Sequence, residues 1–313
     1  MLDHVLSQIK ILIKRNALLY RLAKVVLNEI LNYLKPKYRF LEKRIATMKD
    51  GLFFKYFYRG GYGKVKIVLV DLMGYPLHRE KDLAGTVIRC GLGPLLENME
   101  KFNAGIDFDV TLIINTVVYS EIEQEMGLYI TLRDKYKFID NIIVRNNVGR
   151  DFGAYNEGFK RLRESDYKGD VLFVNTSVRG PDHDYWLLKY AYMFKSHQNI
   201  GLCGISINSY ANHLNTGSLA FKPHVQSFFL YTNMTVLTNV FGENLPASGI
   251  TSNVYNDYVT YGEIEFSQKI IESGYGICSK LFDHFIYFKD APWMVPLGDL
   301  RFDVGYGQFA HKI

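Results

Sequence analysis

The chain has 313 residues with 37 Lys and Arg, 32 Asp and Glu and 8 His, and its net charge of +5 is unevenly spread. Residues 1–50 carry 11 basic and 4 acidic side chains, whereas residues 51–313 carry 26 and 28, which speaks against a nucleic-acid-binding body. With 48% apolar and 15% aromatic residues, disorder is excluded as the dominant state, and three scattered cysteines (Cys90, Cys203, Cys278) fit neither a disulfide framework nor a zinc knuckle.

From Val5 to Leu34 there is no Pro or Gly, and Val5, Ile9, Leu12, Leu19, Leu22, Val26 and Ile30 recur at helical spacing. Lys10, Lys14, Arg21 and Lys24 fall on the opposite side, and Pro36 closes the segment. An apolar face set against a Lys/Arg face predicts a helix lying on an anionic membrane surface through residues 5–34. A partner-helix or calmodulin-like contact is the alternative. No apolar run reaches the 18 or so residues of a spanning helix, and the start of the chain lacks the pattern of a cleaved signal peptide. The expected location is therefore cytoplasmic, peripheral on the inner face of a membrane. The expected domains are a basic helical segment, residues 1–50, and a body, residues 51–313.

A Gly- and Tyr-rich hinge (Arg59–Gly63) precedes the body, whose pattern alternates strand and helix. Lys64–Val70, Asp109–Asn115, Asn141–Arg145, Asp170–Val174 and Asn199–Ile205 are short β-rich runs, apolar on both faces. Gly93–Phe102, Glu121–Tyr136 and Tyr155–Arg163 between them suit helices. This alternation predicts an α/β fold with a mainly parallel sheet flanked by helices. Ligands of such sheets sit beyond the carboxyl ends of the strands, which directs attention to Asp71, Thr116, Asn146–Asp151 and Asn175–Pro181.

The third strand end reads Asn146-Asn147-Val148-Gly149-Arg150-Asp151-Phe152-Gly153-Ala154-Tyr155-Asn156. Its glycines allow a tight turn and close backbone approach. Arg150 offers a planar fork to phosphate, Asp151 an acceptor for a base, a ribose hydroxyl or the arginine itself, and the following helix a positive N-terminus. The next strand ends in Asn175-Thr176-Ser177-Val178-Arg179-Gly180-Pro181, a second polar turn with an arginine. Two such neighbouring ends predict a phosphate-bearing ligand. Asp71, at the first strand end, is a candidate for the base or ribose, or for capping the following turn.

These residues resemble the nucleotide-sugar half of GT-A-fold glycosyltransferases. The N-x-G-R-D-x-G-A-x-N order of Asn147–Asn156, followed by a strand ending in N-T-S, is similar in particular to rhamnan-synthesis-protein-F-like proteins. The resemblance implies a GT-A-like (Rossmann-like) fold, with a nucleotide-sugar half at 51–181 and an acceptor half at 182–313. Its donor-binding candidates are Asp71, Asn147, Gly149, Arg150, Asp151, Asn175, Thr176, Ser177 and Arg179. The Asp-x-Asp of the large inverting GT-A families, which holds a divalent cation on the diphosphate, is replaced here by Asn175-Thr176-Ser177. Mg or Mn would then be held elsewhere, or its electrostatic role filled by Arg150 and Arg179.

By the same resemblance, Asn212–Phe221 lies under the donor sugar, with His213 and Asn215 as acceptor-binding candidates. Glu263 or Glu265, expected at a helix start, would be the base that deprotonates the acceptor hydroxyl in an inverting displacement. Acids are also favoured at that position by the helix dipole alone. His284, after Asp283, is a candidate metal ligand, and the tail from Trp293 to Ile313 a lid or simple packing. The expected activity is transfer of rhamnose or another hexose from a UDP- or dTDP-linked donor to a glycan or lipid-linked acceptor in cell-surface polysaccharide synthesis. The alternative is a catalytically silent glycan-binding or scaffolding module on the same fold. A nucleotidyltransferase is disfavoured by the lack of strand-end carboxylates for magnesium.

Overall fold

The computed structural model describes residues 62–83, 86–117, 122–213, 218–247, 249–251, 255–282 and 285–295. The basic helix expected at 5–34, Asn215, His284 and residues 296–313 lie outside them.

In chain order the elements are β1 (Val65–Leu72), a hairpin of β2 (Arg79–Leu83) and β3 (Thr86–Cys90), α1 (Leu92–Lys101), β4 (Phe108–Thr116), α2 (Ile122–Lys135) and β5 (Ile139–Asn146). There follow α3 (Arg150–Glu164), β6 (Asp170–Asn175), α4 (Trp186–Lys195), β7 (Ile200–Gly204), a ribbon of β8 (Ile207–His213) and β9 (Ser218–Val225), and β10 (Phe229–Asn233). The chain continues through α5 (Met234–Phe241), α6 (Tyr255–Tyr258), a π-helical segment (Val259–Ile264), α7 (Glu265–Glu272), β11 (Gly276–Ser279) and β12 (Ile286–Tyr287).

Eight strands form one sheet in the order β12-β11-β7-β10-β6-β1-β4-β5. All neighbouring pairs are parallel except those made by β10 and β12. The expected α/β architecture with a mainly parallel sheet is borne out, and so are all five expected strands. The reason is visible in burial: Val65 and Ile67–Val70 of β1 and every residue of β6 are buried, because helices cover both faces. Helix α3 packs its aromatic side on this sheet, with Tyr155 5.1 Å from Phe173 of β6, centroid to centroid. Phe152 ties α3 to Phe266 of α7 at 5.8 Å. Among the described residues no helix is long and apolar enough to cross a membrane.

Two elements depart from expectation. Helix α3 starts at Arg150, five residues before the expected Tyr155, so Gly153 stands in its first turn instead of in a preceding loop. A Cβ on Gly153 would fall on the Val148 carbonyl oxygen and 2.7 Å from Arg145 Nη2. The glycine is there for that close approach, not for loop flexibility. Glu263, expected at a helix start, lies inside a helical run that begins by Tyr255 and passes through the π-helical segment. Gly262 lets that segment close on the Phe152 ring, which a Cβ would meet at 2.6 Å.

Candidate functional site

The order of the strands sets the site. After β1 the chain builds β4 and β5 on one flank, then returns to place β6 on the other. The loops leaving β1 and β6 therefore diverge, and a crevice opens between them at the carboxyl edge of the sheet. A cleft of about 470 Å³ occupies this position. Its walls include Asp71 from β1, Asn115 from β4, Asn147 and Gly149 from the β5–α3 turn, Arg150 and Asp151 from the start of α3, Asn175 from β6, and Thr176 and Ser177 just after it. Eight of the nine expected donor residues thus meet in one place. Arg179 does not line the cleft and lies half-buried beyond the turn.

The turn before α3 is held by side chains beneath it. Arg145 donates through Nη1 to Asn115 Oδ1 at 2.6 Å and through Nη2 to the Val148 carbonyl at 2.6 Å. Asn115 Nδ2 in turn donates to the Arg150 carbonyl at 3.2 Å. Gly149 and Arg150 both have positive φ, 72° and 47°, a conformation that glycine accepts freely and arginine resists. The Arg150 guanidinium stacks over the Tyr258 ring, 4.3 Å from its centroid.

The two carboxylates lining the cleft are both tied to β6. Thr176 Oγ1 donates to Asp71 at 2.8 Å, and Asn175 Nδ2 donates to Asp151 at 2.7 Å. Asn175 also accepts the Ser177 amide at 3.0 Å, closing an Asx turn at the strand end. Asn175 and Thr176 therefore serve as donors toward carboxylates carried by α3 and β1. Asp71 is only 3% exposed and has a second donor, the Tyr129 hydroxyl, at 3.4 Å. Burial pushes its pKa up, against the opposing pull of Thr176, the Leu72 amide and Arg79. Among the described residues, no three His, Cys, Asp or Glu side chains gather into a group able to hold a metal ion.

Neither expected base lines the cleft. Glu265 sits on the outer side of α7 and pairs with Lys269 one turn on, at 2.8 Å. Glu263 is buried, 8% exposed, and accepts the Ser227 amide at 2.6 Å. The Tyr155 hydroxyl donates to the carbonyl of the same Ser227 at 2.9 Å, so α3 and the π-helical segment pin that residue from both sides. Ser227 and Phe228 are cleft wall, so Glu263 shapes the site from behind. His224 Nε2 approaches Glu263 at 3.6 Å, and its Nδ1 faces the Lys222 carbonyl at 2.7 Å.

Glu263→Ala should cost about 1–3 kcal/mol by leaving the Ser227 amide without an acceptor. Glu263→Gln keeps an acceptor oxygen and should lose far less. Urea midpoints measure both, and equal losses would mean that the charge facing His224, not the hydrogen bond, matters.

His213 ends β8 in the ribbon, paired in register with Ser218. Sequence reasoning passed over Arg79, Tyr75, Ser227, Phe228 and Tyr258, all of which line the cleft. Arg79 and Tyr75 stand in the long connection between β1 and α1, where only the length of the non-helical stretch signalled an added element.

A Rossmann-like α/β sheet with a polar cleft at its switch point defines the class of this protein. Within that class, the chain belongs to the rhamnan synthesis protein F family, whose model matches residues 110–285. The match spans both motifs that carry the resemblance, Asn147–Asn156 and Asn175–Pro181, and associates the chain with polysaccharide synthesis. No curated protein matches the chain. Among solved structures, a 4-diphosphocytidyl-2C-methyl-D-erythritol synthase aligns with a TM-score of 0.36 at 10% identity, covering 70% of this chain and 89% of its own.

Proposed function

We propose that the chain is a GT-A-type glycosyltransferase. It would take a hexose, rhamnose among the candidates, from a nucleoside diphosphate sugar in the switch-point cleft and pass it to a glycan or lipid-linked acceptor. The observation that carries this reading is the convergence of Asp71, Asn147, Arg150, Asp151 and Asn175–Ser177 on one cleft at the carboxyl edge of β1, β4 and β6. The family supports a role in polysaccharide synthesis. In this reading Asp71 and Asp151 accept hydroxyl or base hydrogens of the donor, and Arg150 balances phosphate charge.

The test is thermal stabilisation of the full chain by UDP- and dTDP-sugars, with and without manganese. A donor present at 100 times its Kd should stabilise by about 2.7 kcal/mol, or roughly 5–10 °C for a domain of this size. No shift with any nucleotide would sink the proposal. A second reading, a silent glycan-binding module, draws on the missing Asp-x-Asp and on Glu263 and Glu265 lying off the cleft. Donor binding without turnover on any acceptor would favour it.

A further inference from the structure

We propose that Arg79 and Arg150 form a two-arginine clamp that grips the diphosphate of the donor across the end of β1. The inference rests on the nucleotide-sugar reading of the cleft and adds the diphosphate-binding residues. Arg79 lies outside the residues matched by the family model, so its role is argued from this chain alone.

Arg79 opens the hairpin that follows β1, and its side chain returns over the end of β6. Nη2 donates to the Thr176 carbonyl at 3.1 Å. The guanidinium carbon lies 5.1 Å from the centroid of the Tyr75 ring. Nε is buried beside Gly91, where an added Cβ would stand 3.1 Å from it, and among the described residues it has no acceptor. Gly91 has φ +100°, so that close approach is written into the backbone. The fork is thus held below by a strand end, on one face by an aromatic ring and behind by a glycine. Arg79 lines the cleft, where a guanidinium has further N–H groups to offer an anion.

Arg150 comes from the other flank, at the start of α3, with its carbonyl fixed by Asn115 of β4 and its guanidinium stacked on Tyr258. Both arginine–tyrosine couples, Arg79 with Tyr75 and Arg150 with Tyr258, line the same cleft as Asp71. A nucleoside diphosphate offers two linked anionic groups to two such forks, whereas a monophosphate offers one. The two carboxylates of the cleft are held in place by neutral donors, Asp151 by Asn175 and Asp71 by Thr176 and Tyr129, so it is the two guanidinium groups that must offset their charge toward an anion. Burial also raises the Asp71 pKa, which lessens its tendency to carry charge beneath the diphosphate.

Calorimetric titration of the full chain in phosphate-free buffer with EDTA tests the clamp, with UDP, dTDP, UMP, dTMP and inorganic pyrophosphate as probes. Arg79→Ala should weaken UDP or dTDP, and pyrophosphate, about tenfold or more, and the monophosphates less than about threefold. Arg79→Lys, which keeps the charge but not the planar fork, should recover part of the loss. A melting curve for each variant checks that it is folded, and the lysine variant stands in if the alanine variant is not. Equal weakening of mono- and diphosphates, or none, would overturn the clamp while leaving the nucleotide reading intact. Wild-type diphosphate binding that vanishes in EDTA and returns with manganese would overturn it too. No binding of any nucleotide would overturn both.

Discussion

Gly153→Ala is expected to lower the melting temperature by about 6–12 °C, taking about 3 kcal/mol for a forced overpacking and 2–4 °C per kcal/mol at this size. The methyl group would collide with the Val148 carbonyl oxygen and press on Arg145 Nη2. The guanidinium cannot swing aside without giving up Asn115 Oδ1 and Val148 O, each 2.6 Å away. Those bonds hold the turn that carries Asn147, Gly149, Arg150 and Asp151 into the cleft, so nucleotide affinity should fall with stability. Gly127→Ala is the contrast. Gly127 lies in α2 with nothing among the described residues within 4 Å of a new Cβ, and the change should stabilise by roughly 0.5–1 kcal/mol. Differential scanning calorimetry reads both, and a Gly153→Ala protein that melts with wild type would remove the close-approach account.

Asp71→Asn should do the opposite to stability and the same to binding. The folded pKa of Asp71 is raised chiefly by burial, so the native state holds that proton more tightly than the unfolded chain does. Stability is then lost as pH climbs from the ordinary value of 3.8 through the raised one, and the cost of a buried charge persists above that window. Asparagine has no charge to bury. It still offers an oxygen to Thr176, while the more distant Tyr129 hydroxyl, 3.4 Å away, can turn to accept from the new amide. The variant should therefore melt above wild type at neutral pH, by about 2–4 °C for each kcal/mol relieved, and the two curves should converge as pH falls below 3.8. Donor affinity should drop about tenfold if the carboxylate accepts a ribose or base hydrogen. A variant less stable than wild type at pH 7 would show that the hydrogen bonds to Asp71 and the Arg79 charge outweigh the burial cost.

The strands were readable because β1, β4 and β6 are covered on both faces and so are written as nearly unbroken runs of Val, Ile, Leu and Phe. The hairpin was not. Arg79–Leu83 reads REKDL, with no apolar alternation to mark a strand, and its partner holds only five residues. Arg79 was invisible for a related reason: what makes it a site residue is its return to Thr176, 97 positions away in sequence. The loop at Asn147–Asp151 was legible because glycine, arginine and aspartate directly after a strand have few local explanations. Glu263 was misplaced because acids favour a first helical turn, whereas here the helical run starts earlier and the buried carboxylate answers a backbone amide 36 residues away.

The link between Asn175 and Asp151 bears on how such a cleft can change over generations. The amide of one meets the carboxylate of the other at 2.7 Å. Placing an aspartate at position 175 alone would set two acids at contact distance, where they could not both ionise. Exchanging the pair, with aspartate on the strand and asparagine on the helix, would move the charge without that conflict. The two positions form a lock with two tumblers: a lineage passing between a carboxylate at the strand end and the present arrangement must turn both, or carry the strained intermediate on the way.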